Sequence, residues 1–597
     1  MSVDHLDDDE LFGRGYDGRI ARRLVAYLRP HRTKLALSVG LVLGSTVLEI
    51  VGPMIVRFAI DDQIARGRTD LLGQAVMAYI GILSVRFVLH YAEALLMTYV
   101  GQRVMMAIAV QLFAHLQRMS VAFFDRNPVG RLVTRVTNDV ATLEMVISQG
   151  VVEMATNVLL IAVIMVVVLL LDWRLALVMY VLLPPLVWAV FQLASRQRDG
   201  FREQRAWLSR INAYLNENIA GMAVVQLFNR QAENLHRFDD RNRGLLGANL
   251  RVVATYAIFE PTVVLFNAIT IGLILWYGGG RVVQDALTLG TLVAFLQYMQ
   301  RFYWPIRELA ERYTTLQQAM ASSERIFRVL DEPEEVTDPP APRKLARVDG
   351  KVEFRDVSFA YDADNLVLSD VSFVVQPGEK VAIVGATGAG KTTIMSLLCR
   401  FYDVQRGAIL IDDVPIVDFA QRDLRRHVRL VLQDPFLFTD TVLENVRMRD
   451  ESISRDQAEA AAALVGADRL IASLSQGWDT VLAERGANLS VGQKQLIALA
   501  RAAAFDPEIV LVLDEATASV DPVSDALIQR SIRQLMQGRT ALIIAHRLNT
   551  IQDVNRIIAL QHGRVVEVGT HAELLRSRGV YYRLYELQYR GQELPIG

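Results

Sequence analysis

Six long apolar segments separated by very unequal gaps decide what this chain can fold into. A helix needs about 20 mostly apolar residues to cross the hydrocarbon core of a bilayer. The six segments are about Leu35–Ile60, Leu71–Val100, Leu143–Leu171, Leu175–Ser195, Val253–Tyr277 and Leu287–Leu309. The first, third and fifth gaps are short, around Asp61–Asp70, Asp172–Arg174 and Gly278–Asp285. The second and fourth are long and read as helical extensions of the spans. They hold the arginines, from Arg103 to Arg135 and from Arg196 to Arg243. Arginine excess marks the cytoplasmic side, so both termini are expected inside, in agreement with an even number of spans. Asn127-Pro128-Val129-Gly130 predicts a bend in the first long gap. Before the first span, Arg19 to Lys34 is basic and amphipathic, with Ile20, Leu24, Val25 and Leu28 on one side. That is the pattern of a helix lying along the membrane face.

The membrane half is not the whole chain. With 597 residues the sequence exceeds one core. Hydrophobic residues make up 52%, charged residues 21%, and mean hydropathy is +0.25. An average over one membrane half and one soluble half gives such values. A net charge of −2 offers no footprint for nucleic acid. The run Asp7-Asp8-Asp9-Glu10 reads as a solvated tail. Cys399 is the sole cysteine, which excludes an intrachain disulfide or a cysteine-based metal site. It reads as a small buried hydrophobe. After the sixth span the helix is expected to continue through Ala310–Leu330. A polar, proline-rich linker follows, from Asp331 to Pro342. Beyond Gly350, short apolar strands such as Val381–Val384 and Ile509–Leu513 alternate with helical stretches, the α/β style.

Two motifs in this second half carry chemistry. Gly385-Ala386-Thr387-Gly388-Ala389-Gly390-Lys391-Thr392 fits G-x-x-x-x-G-K-[ST] between the expected strand Lys380–Val384 and the helix Thr392–Arg400. Glycines let the backbone turn so tightly that its N–H groups surround phosphates, and the helix dipole favours their charge. Lys391 is expected to reach the outer phosphates, Thr392 to hold Mg²⁺, and Thr393 to border the same pocket. The second motif is the apolar run Ile509–Leu513 ending in Asp514-Glu515. Asp514 is expected to hold Mg²⁺ and Glu515 to polarise the attacking water, since phosphoryl transfer relies on positioning and charge stabilisation.

Leu489-Ser490-Val491-Gly492-Gln493, lying between those two motifs, resembles the signature of ABC transporters. Further elements match in the family's order. Tyr361 resembles the aromatic that stacks on adenine, and Gln433 the glutamine that contacts Mg²⁺ and water. Asp521 in Ser519-Val520-Asp521 resembles the D-loop aspartate, and His546 the switch histidine at the γ-phosphate. The resemblance covers essentially the whole chain and implies an exporter-type half-transporter. Its fold class is a membrane all-α six-helix domain with long cytoplasmic extensions, followed by an α/β P-loop ATPase domain. The implied division is a tail at 1–18, a membrane domain at 19–330, a linker at 331–349, a nucleotide-binding domain at 350–585 and a tail at 586–597. The implied cofactors are ATP and Mg²⁺.

The resemblance also implies a second half-transporter chain. In this family Ser490, Gly492 and Gln493 would serve the ATP held by Lys391 of another chain. Ala483-Glu484-Arg485-Gly486 resembles the exporter segment that touches the partner's intracellular loops, placed here around Phe123–Arg131 and Asn212–Leu227. The family has glycine where this chain has Val491. A side chain there crowds backbone that approaches phosphate. Heterodimeric members often join such an altered signature to a good catalytic glutamate, so a heterodimer whose partner lacks the equivalent of Glu515 is favoured over a homodimer.

For cargo, polar groups inside spans are costly and often functional. Arg86, His90 and Glu93 share one helix face by their spacing. They and Trp304 are candidates to line the cargo cavity, with interhelical packing as the competing role. The mixed apolar, aromatic and charged set suits hydrophobic, drug-like molecules, with lipid or peptide export left open. The expected home is the bacterial inner membrane, in contact with its lipids.

Overall fold

The structure, a computed structural model, describes residues 18–588 apart from 69, 345–347, 363–364, 433, 515–521 and 546–550. It divides into two units: residues 1–117 with 129–332, and residues 118–128 with 333–597.

The first unit is helical. Its elements are α1 (Gly18–Leu28), α2 (Arg32–Phe58), α3 (Leu72–Leu116), α5 (Val151–Leu171), α6 (Trp173–Ala220), α7 (Met222–Leu227), α8 (Gln231–Val283) and α9 (Leu289–Leu330), while α4 (Val121–Arg126) belongs to the second unit. Residues 129–150 form short helical and π-helical turns rather than one regular helix. Among the described residues, five helical stretches are long and apolar enough to cross a membrane, and α9 is not one of them. The sixth expected span therefore exists as a helix but falls short of the others in apolarity. The reason is its surroundings: α9 packs against α2, α5 and α8, and Phe295, Tyr298, Met299, Phe302 and Tyr303 are buried there. A helix enclosed by protein needs no continuous apolar coat. By contrast α3 faces outward with exposed Phe87, Val88 and Tyr91, a surface that hydrocarbon satisfies and water does not.

The short gaps are held by charge-assisted caps. Asp172 accepts from Arg174 N and Leu175 N at 3.0 Å, which caps α6, and pairs with Arg281 at 2.5 Å. Asp61 accepts from Gly290 N at 2.7 Å and from Thr288 Oγ1 at 2.6 Å at the start of α9. A Cβ on Gly290 would stand 2.6 Å from Arg57 O, so this close crossing requires glycine. On the far side, α1 docks through Arg23, which pairs with Asp331 at 2.5 Å and lies 4.1 Å over the Phe327 ring. Asp139 is buried and held by Arg325 Nε at 3.0 Å and Ser322 Oγ at 2.9 Å, joining the irregular 129–150 stretch to α9.

The second unit has two sheets. A four-stranded antiparallel sheet runs in the order β2 (Leu366–Val375), β1 (Val352–Ala360), β4 (Arg406–Ile411), β5 (Val414–Pro415). Phe354 and Phe373 face each other across β1 and β2 with ring centroids 4.6 Å apart, a cross-strand pair of the kind that fixes register. The six-stranded sheet runs β10 (Arg564–Gly569), β9 (Arg556–Gln561), β3 (Lys380–Gly385), β8 (Thr540–Ala545), β7 (Ile509–Asp514), β6 (Val428–Val431). All its pairings are parallel except β9 with β10. The helices that position the site are α10 (Lys391–Leu398), α11 (Val442–Arg447), α12 (Val491–Ala504) and α13 (Pro522–Leu535). Strands β3, β7 and β8 are near-continuous apolar runs because both faces are covered, one by helices including α12 and α13, the other by α10 and the four-stranded sheet.

Candidate functional site

Strands β3, β8 and β7 lie side by side and parallel, with Ile383 paired to Ile544 and Asp514 to Ala545. Their carboxyl ends therefore open on one edge of the sheet. In open α/β sheets ligands bind outside those ends. The glycine loop follows β3, Glu515 follows β7 and His546 follows β8, so topology gathers all three segments at one edge. Glu515, His546, Gln433 and Asp521 lie outside the described residues, as does the side chain of Asp514.

The glycine loop is fully described. Gly388 and Gly390 have φ of +81° and +97°. A Cβ on Gly385 would stand 2.5 Å from Leu560 O, and one on Gly390 would stand 2.5 Å from Leu368 Cδ2. The turn thus depends on conformation at two glycines and on close approach at two. Gly390 is the N-cap of α10, and no side chain caps that helix. Its first N–H groups stay available, a ready anion site. Lys391 is buried and donates from Nζ to Gly385 O at 2.8 Å and Ala386 O at 3.0 Å. A phosphate is the natural competitor for that ammonium. Thr392 is exposed at the first turn, whereas Thr393 is buried beside it. Ala389 is buried, and Ala386 and Thr387 are exposed on the loop.

Tyr361 sits half-exposed at the end of β1. Its hydroxyl donates to Thr393 Oγ1 at 3.2 Å. Its ring meets Phe359 edge-on at 4.9 Å and Tyr402 edge-on at 5.1 Å. Sequence reasoning did not single out Tyr402. Its hydroxyl donates to Asp125 Oδ2. Burial, followed by that bond, pushes its pKa above the ordinary tyrosine value.

The signature segment is a helix start of another kind. Ser490 caps α12: its Oγ accepts from Gln493 N at 3.3 Å, and Gln493 Oε1 accepts from Ser490 N at 2.9 Å. This is a reciprocal capping box. Gly492 is buried against α13, where a Cβ would stand 3.1 Å from Ser524 Cβ. Val491 is 36% exposed at the start of α12.

Two further residues were missed. Arg501, in the last turn of α12, donates to Asn445 O at 2.8 Å and Phe436 O at 3.1 Å. Burial lowers its pKa. Asn445 bonds both N and O of Phe438, at 2.8 and 2.9 Å. Together they fix the stretch just after Gln433. The available signal was a lone charge in the apolar run Leu496–Ala504.

In the membrane unit, Arg86, His90 and Glu93 do lie on one side of α3, but none is free. Arg86 pairs with Glu49 at 3.0 Å and His90 with Glu93 at 3.5 Å. Trp304 on α9 is exposed. Nearby on α5 and α9, Glu153 pairs with Arg312 at 2.6 Å.

Known proteins share this architecture. Residues 35–306 match the ABC transporter transmembrane region and residues 368–518 match the ABC transporter domain. An uncharacterized ABC transporter ATP-binding protein of Bacillus subtilis is 38% identical over 98% of this chain and 97% of its own length. An ATP-dependent lipid A-core flippase of Syntrophus aciditrophicus is 34% identical over 96% of this chain and 95% of its own. The structure of a bacterial Atm1-family ABC exporter with ATP bound superposes with a TM-score of 0.77 at 27% identity, covering 94% of this chain and 98% of that one.

Proposed function

This chain belongs to the ABC transporter family as an exporter half-transporter, and on that premise we propose that it drives hydrophobic or amphiphilic, drug-like compounds outward across the bacterial inner membrane. ATP binding, ATP-hydrolysing translocase activity and action as a dimer come with the family. The proposal adds residues and direction. Lys391 and the N–H groups from Gly385 to Thr393 hold the phosphates, and Tyr361 stacks on the base. Thr392, Gln433 and Asp514 hold Mg²⁺, which supplies charge neutralisation at the phosphates. The donor set suits it: a hydroxyl, an amide and a carboxylate are the hard oxygen ligands Mg²⁺ prefers. Glu515 polarises the attacking water and His546 contacts the γ-phosphate. Ser490, Gly492, Gln493 and Asp521 act across the dimer on the other chain's ATP. The domain boundaries given above, with the ATPase domain and both termini cytoplasmic, belong to this reading.

One observation carries it. The uncapped start of α10, with Lys391 folded into the loop, is an anion receptor placed where three parallel strand ends meet. For the assembly, a heterodimer is favoured, its partner bearing an intact signature and no equivalent of Glu515. Support comes from Val491, the side chain that replaces the family's glycine in the signature segment and is exposed at the start of α12. The test is Mg-ATP hydrolysis in lipid, with and without the product of an adjacent half-transporter gene, for wild type and Glu515→Gln. Activity that needs the partner and falls by about 10²-fold or more in the variant supports the heterodimer. Full activity of the chain alone establishes the homodimer.

A second reading, lipid transport, is favoured by the likeness to a lipid A-core flippase along nearly the whole chain. Proteoliposomes offered a lipophilic dye and a fluorescent phospholipid separate the two by which one ATP moves. The cargo candidates Arg86, His90, Glu93 and Trp304 are tested in the same assay. Their paired state leaves a packing role in competition.

A further inference from the structure

We infer that Tyr402 is a positioning residue that lets the segment 118–128 sense the nucleotide's base, an inference that rests on Tyr361 being the base-stacking ring. Segment 118–128 is tied into the second unit. Arg118 Nε pairs with Glu334 at 3.1 Å, and Ser120 Oγ donates to Glu335 at 3.1 Å. Arg126 pairs with Glu335 as well. These bonds fix α4 and hold Asp125, one residue before Arg126, against the Tyr402 hydroxyl.

Tyr402 in turn braces Tyr361. The two rings meet edge-on, centroids 5.1 Å apart and planes at 86°. Such pairs attract beyond what area burial alone gives. Phe359 closes the cluster at 5.6 Å from Tyr402. Tyr361 is anchored at its tip by Thr393, in the helix that starts at the phosphate loop. The ring stays half-exposed, which leaves room for a base. A base stacked there presses on a ring with two fixed contacts, and the free response is a small displacement of Tyr402. A displacement at Tyr402 lengthens or shortens its bond to Asp125. That bond is charge-assisted, and such bonds lose energy steeply with distance. The phosphates engage a separate set of groups, so base and phosphate are read by different routes.

This gives Tyr402 two separable duties. Its ring supports Tyr361, and its hydroxyl reports to Asp125. Tyr402→Phe keeps the first and removes the second. Tyr402→Leu weakens both.

The experiment is hydrogen exchange of residues 118–128 in the full chain in lipid nanodiscs, with adenylyl imidodiphosphate or with inorganic tripolyphosphate, which has no base. ATP KM is measured alongside. In wild type, the adenine nucleotide slows exchange of 118–128 at least threefold more than saturating tripolyphosphate. Tyr402→Phe and Asp125→Ala abolish that difference while KM stays within about twofold. Tyr402→Leu abolishes it and raises KM at least fivefold. Equal protection by both compounds in wild type overturns the inference. So does a base-dependent protection that survives in Tyr402→Phe and Asp125→Ala. Tyr361→Ala separates the levels: an unchanged KM there sinks the stacking role itself, while a raised KM with Tyr402→Leu unaffected sinks the inference alone.

Discussion

The two glycine-bearing helix starts of the second unit, at α10 and at α12, solve the same problem in opposite ways. A helix begins with four N–H groups that have no partner inside it. At α10 the chain leaves them open: Gly390 sits at φ +97° and no side chain caps the helix. At α12 the chain spends its own Ser490 and Gln493 on them in a closed box. The first start is built to receive an anion with its backbone. The second has two of its starting N–H groups, those of Ser490 and Gln493, held by side chains, and the Ser490 hydroxyl, which accepts from Gln493 N, keeps its own hydrogen for an outside phosphate. The glycines differ likewise. Gly390 is required by conformation and by Leu368 at its back, whereas Gly492 is set by close packing, with Ser524 Cβ 3.1 Å from where a Cβ would stand. The lesson is that one loop is specified by backbone geometry and the other by side-chain bonding and fit.

The strongest way to break this contrast is Gly390→Ala. A left-handed non-glycine residue costs about 1–3 kcal/mol. A loop displaced by ~1 Å costs about 10²-fold in rate. Hydrolysis should therefore collapse while the chain still folds, as read by thermal unfolding in detergent. Retained hydrolysis within tenfold would show that α10 does not depend on its glycine conformation. Next comes Gly492→Ala, whose φ is ordinary but whose Cβ meets Ser524. Overpacking of this kind costs about 1–3 kcal/mol, and pairing it with Ser524→Gly should restore the loss. No rescue would mean that the glycine serves something other than packing.

Ser490→Ala is smaller still. Loss of an N-cap costs about 1 kcal/mol, and Ser490→Asp should keep the cap. If hydrolysis falls in both variants while only the alanine lowers the unfolding temperature, the hydroxyl proton acts on ATP. If activity follows stability alone, the signature serine is only a cap. The smallest expected effect is at Cys399, which closes the other end of α10. Burial pushes its thiol up to about 12. The thiolate is the reactive form, so at pH 8 it should resist a maleimide over hours in the folded chain and react on denaturation. Because the folded pKa lies above the ordinary thiol value, reactivity in the native state should rise only toward strongly alkaline pH. Rapid native labelling would show α10 opening at its carboxyl end.

Much of this was legible in the sequence. The outward-facing helices show because apolarity all along a segment is a local property. The glycine loop shows because positive φ restricts residue type at each position. The bend at Asn127-Pro128 fell where α4 stops and helix resumes at Val129. What escaped were features set by distant neighbours. Helix α9 reads as a span only weakly, because its burial among other helices frees it to carry Arg301 and Arg312. Tyr402 lies in a run, Arg400-Phe401-Tyr402-Asp403, that gives no hint of Asp125 some 277 positions earlier. The pairing of Arg86 with Glu49 could not be read from the spacing that put Arg86, His90 and Glu93 on one face.

The bond from Arg501 to Phe436 and Asn445 has a mechanical consequence. It clamps the stretch that follows Gln433 to the last turn of a stiff 14-residue rod, α12, about 21 Å long. Because the rod is stiff, a small sideways step near residue 436 is carried from that last turn to the opposite end, where Ser490 sits. The two ends of the rod then carry one signal, and a chain that feels a change beside Gln433 restates it at Ser490 without any further moving part.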